Sequence, residues 1–341
     1  MKRTTCLLSA CCLIAIPSIL KANPLVYEGT NGGLGAGKHI VFIADDHEYR
    51  SEEALPALAR ILAKHHGFKC TVLFGIDDDG YIKPGHPNIP GIEVLDDADL
   101  MVVYTRFQNW PDDQMQHFVD YLDRGGPVVG LRTATHAFRI PADGTFHKYS
   151  QGTKDESYEG GFGRQVLGED WSGHYGKNNT SSTRLDIVAE NKDHPVLIGI
   201  DKMHAACGGY FTEPLEPSTI LAMAQPLQGM NPDDPADPEK EPVPGIWVRS
   251  YPAADGQTEG RVFTTTYGAS NDLLDEGFRR ALANGCIWAV GLEDKITPDL
   301  DVSLVGPYHP SWAKANRPTR NPKTKPEDLA GWDTPIFPIE N

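Results

Sequence analysis

Cysteine is scarce and poorly spaced. Three of the six cysteines (Cys6, Cys11 and Cys12) fall at the very start of the 341-residue chain. Cys70, Cys207 and Cys286 remain, an odd number without a C-x-x-C pair, which excludes a disulfide framework and a zinc ribbon. They read as small buried hydrophobes. Close-spaced histidines are also missing: neither H-x-x-x-H nor H-E-x-x-H occurs, so no local motif writes a metal site. Positive charge is in the minority, with 31 Lys and Arg against 47 Asp and Glu and a formal charge of −16. Without a basic stripe, such a surface repels a phosphate backbone, which argues against a nucleic-acid partner. Beyond the N-terminus no apolar run approaches membrane-helix length, so no membrane span is expected.

What is present begins with a leader. Lys2 and Arg3 precede an apolar stretch from Leu7 to Leu20, and Ala22 is a small residue suited to cleavage. That order reads as a secretory signal peptide over residues 1–22, and hence an exported protein, periplasmic or extracellular. The segment Leu8-Ser9-Ala10-Cys11 has the look of a lipobox, but the apolar run before it is short for lipid anchoring.

Strands and helices then alternate. Residues 38–44 (KHIVFIA), 69–74 (KCTVLF), 99–105 (DLMVVYT) and 127–131 (PVVGL) are short, apolar and rich in β-branched residues, as buried strands are. Between them, residues 51–66 and 111–124 carry helical spacing. Pro56 argues for a regular helix starting nearer Leu55, and Gly67 ends it. This rhythm predicts an α/β fold: a mostly parallel, flavodoxin-like sheet with helices on both faces. Further strands are expected at 183–188, 219–224, 245–250 and 261–266, with a Pro- and Asp-rich loop at 226–244 and a last amphipathic helix at 271–290. The domain is placed at 38–293. Residues 294–341, rich in Pro, Asn and Lys with Trp312 and Trp332 as anchors, read as an extended C-terminal strap.

In such sheets, ligands sit beyond the carboxyl ends of the strands. The first candidate is therefore Asp45-Asp46-His47-Glu48-Tyr49, where the first strand ends. There His47 is the expected acid–base group, with Glu48 beside it and Asp46 at the substrate. Glu52 and Glu53 are expected to compensate the helix dipole. The second is Gly130-Leu131-Arg132-Thr133-Ala134-Thr135-His136, after the fourth strand. Arg132 either holds substrate oxygens or fixes the turn through an ion pair; His136 is a site residue, and Thr133 and Thr135 shape the turn. The third is Gly168-Glu169-Asp170-Trp171-Ser172-Gly173-His174, where Trp171 and His174 suit a sugar-facing loop. His204 is left open as a substrate contact, His194 before a proline suits a local turn contact, and His65, His66 and His117 are taken as surface residues. Because His47, His136 and His174 come from separate loops, a divalent metal is left open as a cofactor.

Several stretches together resemble the ThuA-like (trehalose-utilisation) family of the class I glutamine amidotransferase-like superfamily. They are DDHEYRSEEALPALARILAKHHG, GGPVVGLRTATHAF, VLGEDWSGH, HPVLIGI and VFTTTYGASNDLLDEGFRRALANGCIWAVG, in the family's order over about residues 38–293. The resemblance implies the amidotransferase-like fold without its catalytic cysteine, and Arg132 stands where that nucleophile would be. Arginine stays protonated and attacks nothing, so glutamine amidotransfer is not expected. By position, His174 matches the family's histidine after its Gly-x-aromatic segment, and Trp288 with Gly291 matches the closing helix. Two departures, Arg132 for a common histidine and Gly268-Ala269 for a Gly-His pair, mark a subgroup. The implied function is carbohydrate metabolism on a keto-sugar or glycoside through His/carboxylate acid–base chemistry, with His47 or His136 as base and Arg132 as the oxygen-holding cation. A non-catalytic carbohydrate-binding protein and a metal-dependent hydrolase are the alternatives. The expected partner is a small carbohydrate, and a homo-oligomer is left open.

Overall fold

The computed structural model describes residues 23–312 and 323–336. The signal peptide read at 1–22 lies outside the described residues. In chain order the elements are β1 (Leu25–Tyr27), β2 (His39–Asp45), α1 (Ser51–His66), β3 (Lys69–Phe74), β4 (Leu100–Thr105), α2 (Asp112–Asp123) and β5 (Val128–Leu131). They continue as β6 (His174–Tyr175), β7 (Thr183–Ile187), β8 (His204–Ala205), β9 (Gly209–Tyr210), β10 (Thr219–Pro226), β11 (Val243–Pro252), β12 (Glu259–Thr265) and α3 (Glu276–Ala289).

Ten strands form one sheet in the order β1-β3-β2-β4-β5-β12-β11-β10-β7-β8. Its centre is parallel from β3 through β12, as the alternating strand–helix pattern requires. The outer half is not. The β12–β11, β11–β10, β10–β7 and β7–β8 pairs are antiparallel, as is β1 with β3. The sheet is therefore mixed rather than mostly parallel. Strands 10 to 12 follow one another through loops without a crossover helix, and such connections join antiparallel neighbours. Sequence spacing showed those strands but not their direction.

Period-two alternation along the central strands divides the core. Ile40, Phe42 and Ala44 of β2 face α1 and α3, whereas Val41 and Ile43 face α2. Helices thus cover both faces. In α1 the helix begins at Ser51 and runs through Pro56, earlier than expected. Arg50 turns the chain with φ 65°, and its carbonyl accepts the N–H groups of Glu53 and Ala54. The first turn is closed before the proline, which forfeits only a bond to the Glu52 carbonyl. Glu53 does more than offset a dipole: its carboxylate accepts the backbone N–H of Ser311 at 2.8 Å. The last helix starts later than expected, because Ser270–Leu274 form a 3-10 turn and Asp275 caps α3 by accepting the N–H of Phe278 at 2.8 Å. His66, expected at the surface, is buried.

The C-terminal segment is tied to α1 and β1. Arg60, fully buried, donates to the carbonyls of Thr334 (2.8 Å) and Leu329 (2.9 Å), and Tyr27 donates to Leu329 at 2.7 Å. Trp332 stacks on Tyr27 at 5.4 Å, and Trp312 is buried 5.6 Å from the ring of Tyr49.

Candidate functional site

The loops after β2, β4 and β5 meet the 163–178 segment at the carboxyl ends of the parallel strands. After β5 the chain enters a 3-10 turn, Arg132–His136, in which Arg132 takes the left-handed conformation (φ 48°). A non-glycine residue there is uncommon, and such conformations concentrate where tertiary contacts over-determine them. The contacts here are plain. The Arg132 guanidinium lies 4.1 Å from the ring centres of both Tyr49 and Tyr210, and Nη1 donates to the carbonyls of Gly208 (2.6 Å) and Thr266 (2.8 Å). The residue is fully buried. It has no exposed atom with which to hold a substrate oxygen, and it fixes the turn through carbonyls and aromatic faces rather than through an ion pair.

His136 closes that turn and is buried too. Its ring centre lies 4.9 Å from Phe107, 4.9 Å from Trp171 and 5.6 Å from Tyr210. Burial, then the charges of Arg106 and Arg132, hold it well below the usual histidine value, so it is neutral at pH 7. His174 lies across the same two aromatics, 5.6 Å from Trp171 and 5.5 Å from Tyr210. It is more exposed, and burial with Arg132 lowers its affinity for a proton while Glu48 opposes the shift.

Two glycines bring His174 here. The backbones of Gly176 and Gly208 approach so closely that a Cβ on Gly208 would lie 2.8 Å from the Gly176 carbonyl carbon. Only glycine allows that approach, and it lets β6 pair with β9, His174 opposite Tyr210.

His47 and Glu48 enter from the β2 end through Arg106. Arg106 Nη1 lies 2.6 Å from His47 Nε2, Nη2 lies 2.9 Å from Glu48 Oε2, and the guanidinium sits 4.7 Å from the ring of Phe107. Of the expected site residues, His47, Glu48, His136, Trp171 and His174 thus belong to one contiguous cluster. Asp46 is fully buried, and its carboxylate accepts the N–H groups of Glu48 (3.2 Å) and Tyr49 and the hydroxyl of Thr133 (3.3 Å). It shapes the loop instead of facing a substrate. His204 stands apart in β8 at the sheet edge, in the field of Asp272, Asp275 and Asp234. His194, as expected, makes a turn contact, accepting the N–H of Val196 at 3.3 Å.

The structure adds Tyr49, Arg106, Phe107, Asn178 and Tyr210. Arg106 and Phe107 directly follow β4, so the strand-end rule points to them as it does to His47. Tyr210 and Asn178 carry no such signal, since their place depends on the Gly176–Gly208 approach. Among the described residues, no three His, Cys, Asp or Glu side chains lie close enough together to hold a metal ion. No described helix is long and apolar enough to cross a membrane. Chemically, the cluster offers a neutral buried imidazole, a second imidazole beside a tyrosine hydroxyl, two rim cations, Arg106 and Arg139 (3.6 Å from the Phe107 ring), and aromatic faces.

The trehalose utilisation family matches residues 40–289, well over half of the chain. No curated protein matches it. Solved structures similar to it include a ThuA-like protein from Parabacteroides merdae, at 18% identity and TM-score 0.47, covering 74% of this chain and 90% of that one. Another is a ThuA-like protein from Bacteroides uniformis, at 13% identity and TM-score 0.48, covering 80% and 99%. An exo-β-1,4-mannosidase from an Opitutaceae bacterium is also similar, at 11% identity and TM-score 0.34, covering 74% and 36%. On the extent of the family match, the chain belongs to the ThuA (trehalose utilisation) family.

Proposed function

We propose that this protein is an exported enzyme that acts on a keto-sugar or keto-glycoside by moving the proton on the carbon beside the carbonyl. One observation carries the reading: a buried, neutral His136 shares its aromatic neighbours Trp171 and Tyr210 with His174 at the strand ends. The unprotonated imidazole of His136 has the lone pair a base needs, though burial and the nearby arginines lower its proton affinity, and a second imidazole nearby is suited to the oxygen that gains charge. Trp171 offers the flat apolar face that sugar rings stack against. Arg106 and Arg139, not Arg132, are the cations at the rim. Domain bounds of 38–293 and a strap at 294–341 belong to the same reading, as does export through residues 1–22.

The test is a panel of 3-keto-disaccharides incubated with purified protein in D2O, followed by NMR. Exchange or turnover at the carbon beside the carbonyl is expected, with loss in His136→Asn. Saturable binding without exchange turns the protein into a carbohydrate-binding one. Activity lost on chelation and restored by a divalent ion turns it into a metal-dependent hydrolase.

A further inference from the structure

We propose that Tyr49, oriented by Asn178, and Thr135 are positioning residues that give the two histidines opposite roles: His136 presents a lone pair and His174 presents an N–H. The assignment rests on the proton-moving reading above, and it follows from counting donors along two short hydrogen-bond chains.

The first chain starts at a backbone amide, whose proton has a fixed place. Gly208 N–H donates to Asn178 Oδ1 at 3.1 Å, so the other end of that amide is the NH2 group. Asn178 Nδ2 then donates to the Tyr49 hydroxyl oxygen at 3.0 Å. Arg132, whose side chain also reaches that oxygen, can only donate, so the one proton the oxygen keeps goes to His174 Nε2 at 3.2 Å. Tyr49 therefore donates to His174, whose Nε2 must carry the lone pair. In a neutral ring the proton is then on Nδ1. Nδ1 meets no acceptor among the described residues, and His174 is exposed. Its free edge is a donor.

The second chain ends at a carbonyl, which can only accept. The Thr135 hydroxyl donates to the Arg132 carbonyl at 3.4 Å, leaving its oxygen to accept from His136 Nδ1 at 3.2 Å. His136 also carries its proton on Nδ1, but here that edge is engaged and Nε2 is the free one. Both rings thus hold the same tautomer but leave different nitrogens free, Nε2 on His136 and Nδ1 on His174, and both rings have Trp171 and Tyr210 as neighbours.

With a keto-sugar held against these two free nitrogens, the C–H bond beside the carbonyl breaks and its proton passes to His136 Nε2. The bonding electrons move between the two carbons, the carbonyl oxygen takes the negative charge, and the N–H of His174 meets it. Tyr49 is not needed at the substrate, and its full burial is consistent with a positioning role.

The test uses the full-length chain labelled with 15N, reading the imidazole nitrogens in long-range proton–nitrogen spectra near pH 7.5. Both rings should show a protonated Nδ1 and a bare Nε2. In Tyr49→Phe, which keeps the ring over Arg132, His174 should lose its bias to Nδ1 while His136 is unchanged; Thr135→Val should do the converse. The proposal fails if native His174 carries its proton on Nε2, if native His136 has a bare Nδ1, or if Tyr49→Phe leaves His174 as it was. The native spectrum alone decides should a variant not fold. Exchange activity on a keto-sugar with the wrong tautomers would remove this inference and leave the proposed function standing. The right tautomers with no activity on any keto-sugar would do the reverse.

Discussion

Arg106 Nη1 lies 2.6 Å from His47 Nε2 and Nη2 lies 2.9 Å from Glu48 Oε2, so an arginine links the histidine at the end of β2 to its carboxylate neighbour. A guanidinium has no acceptor, and it can donate to Nε2 only when that nitrogen is unprotonated. Nε2 of His47 is therefore the acceptor in this contact, with a fixed cation beside it. The pair read from the sequence as His and carboxylate is thus a triad centred on a residue from another strand end.

Arg106→Gln is the direct probe of that centre. The pair with Glu48 is partly exposed and worth roughly 0.2–1 kcal/mol to the fold, so the melting temperature should fall only slightly. If Arg106 meets substrate oxygens, keto-sugar affinity or turnover should drop by about 1.5–3 kcal/mol, the scale of a lost charged hydrogen bond. Calorimetry of binding beside a thermal melt separates the two. A large drop in melting temperature with affinity intact would make Arg106 a structural link.

Stability should fall as pH drops from about 6.5. Burial lowers the proton affinity of His39, His66, His136, His174, His194 and His204 in the folded state. The unfolded chain then binds more protons below the ordinary histidine value, and ∂ΔG/∂pH is positive there. The stability from these groups is fully present above about pH 6.5 and is lost down to the lowered values, at about 1.4 kcal/mol for each unit of depression. Asp170, pushed up to about 6 by burial, acts oppositely: it holds its proton more tightly in the fold, and the stability this gives is lost as pH rises from about 3.8 to about 6. Denaturant melts of native protein and His136→Asn between pH 5 and 8 check the sign. A variant with an unflattened acid limb would contradict the assignment to His136.

How much of this was readable beforehand depended on whether a signal was local. The β2, β3, β4 and β5 strands are short runs bounded by turn residues, and each fell within a residue of its observed limits. The direction of β10 to β12 was not legible, because apolar spacing is the same in parallel and antiparallel strands. At the site, His47, His136 and His174 were legible as polar residues after strands or in a glycine-rich loop. Arg132 was legible as a special position, but its burial was not: it is set by Tyr49 and Tyr210, residues 83 before and 78 after it in the chain. Asp46 shows the same limit, since a carboxylate that caps its own loop and one that faces solvent look alike in sequence.

The remaining cysteines should be inert. Cys70, Cys207 and Cys286 are fully buried, and burial pushes all three thiols upward. Cys207 in addition donates its S–H to Asp272 at 2.9 Å. A thiolate is the reactive form, so native protein should react with an alkylating reagent only as fast as it unfolds. Mass spectrometry of labelling with and without denaturant tests this. A thiol that reacts fast in native protein, with loss of activity, would reopen a nucleophilic mechanism.

Arg132→Lys separates anchoring from catalysis at the turn. The native side chain makes two carbonyl contacts from one nitrogen and presents flat faces to two tyrosines. An ammonium has neither the planar faces nor the reach to hold the Gly208 and Thr266 carbonyls from the same place. Charged hydrogen bonds and desolvated cation–π contacts are each worth about 2 kcal/mol, so the variant should lose roughly 3 kcal/mol or more of stability. The backbone at φ 48° adds to this, because without the anchor nothing holds a side-chain-bearing residue in that conformation. Affinity per folded molecule should change little, since Arg132 has no exposed surface. Glycine at the same position relieves the backbone but leaves both carbonyls and both rings without their cation, so Arg132→Gly should be no more stable than Arg132→Lys. Denaturant titration with ligand affinity, measured on both variants, decides the matter. Unchanged stability with a tenfold or greater loss of affinity would return Arg132 to the substrate side of the turn.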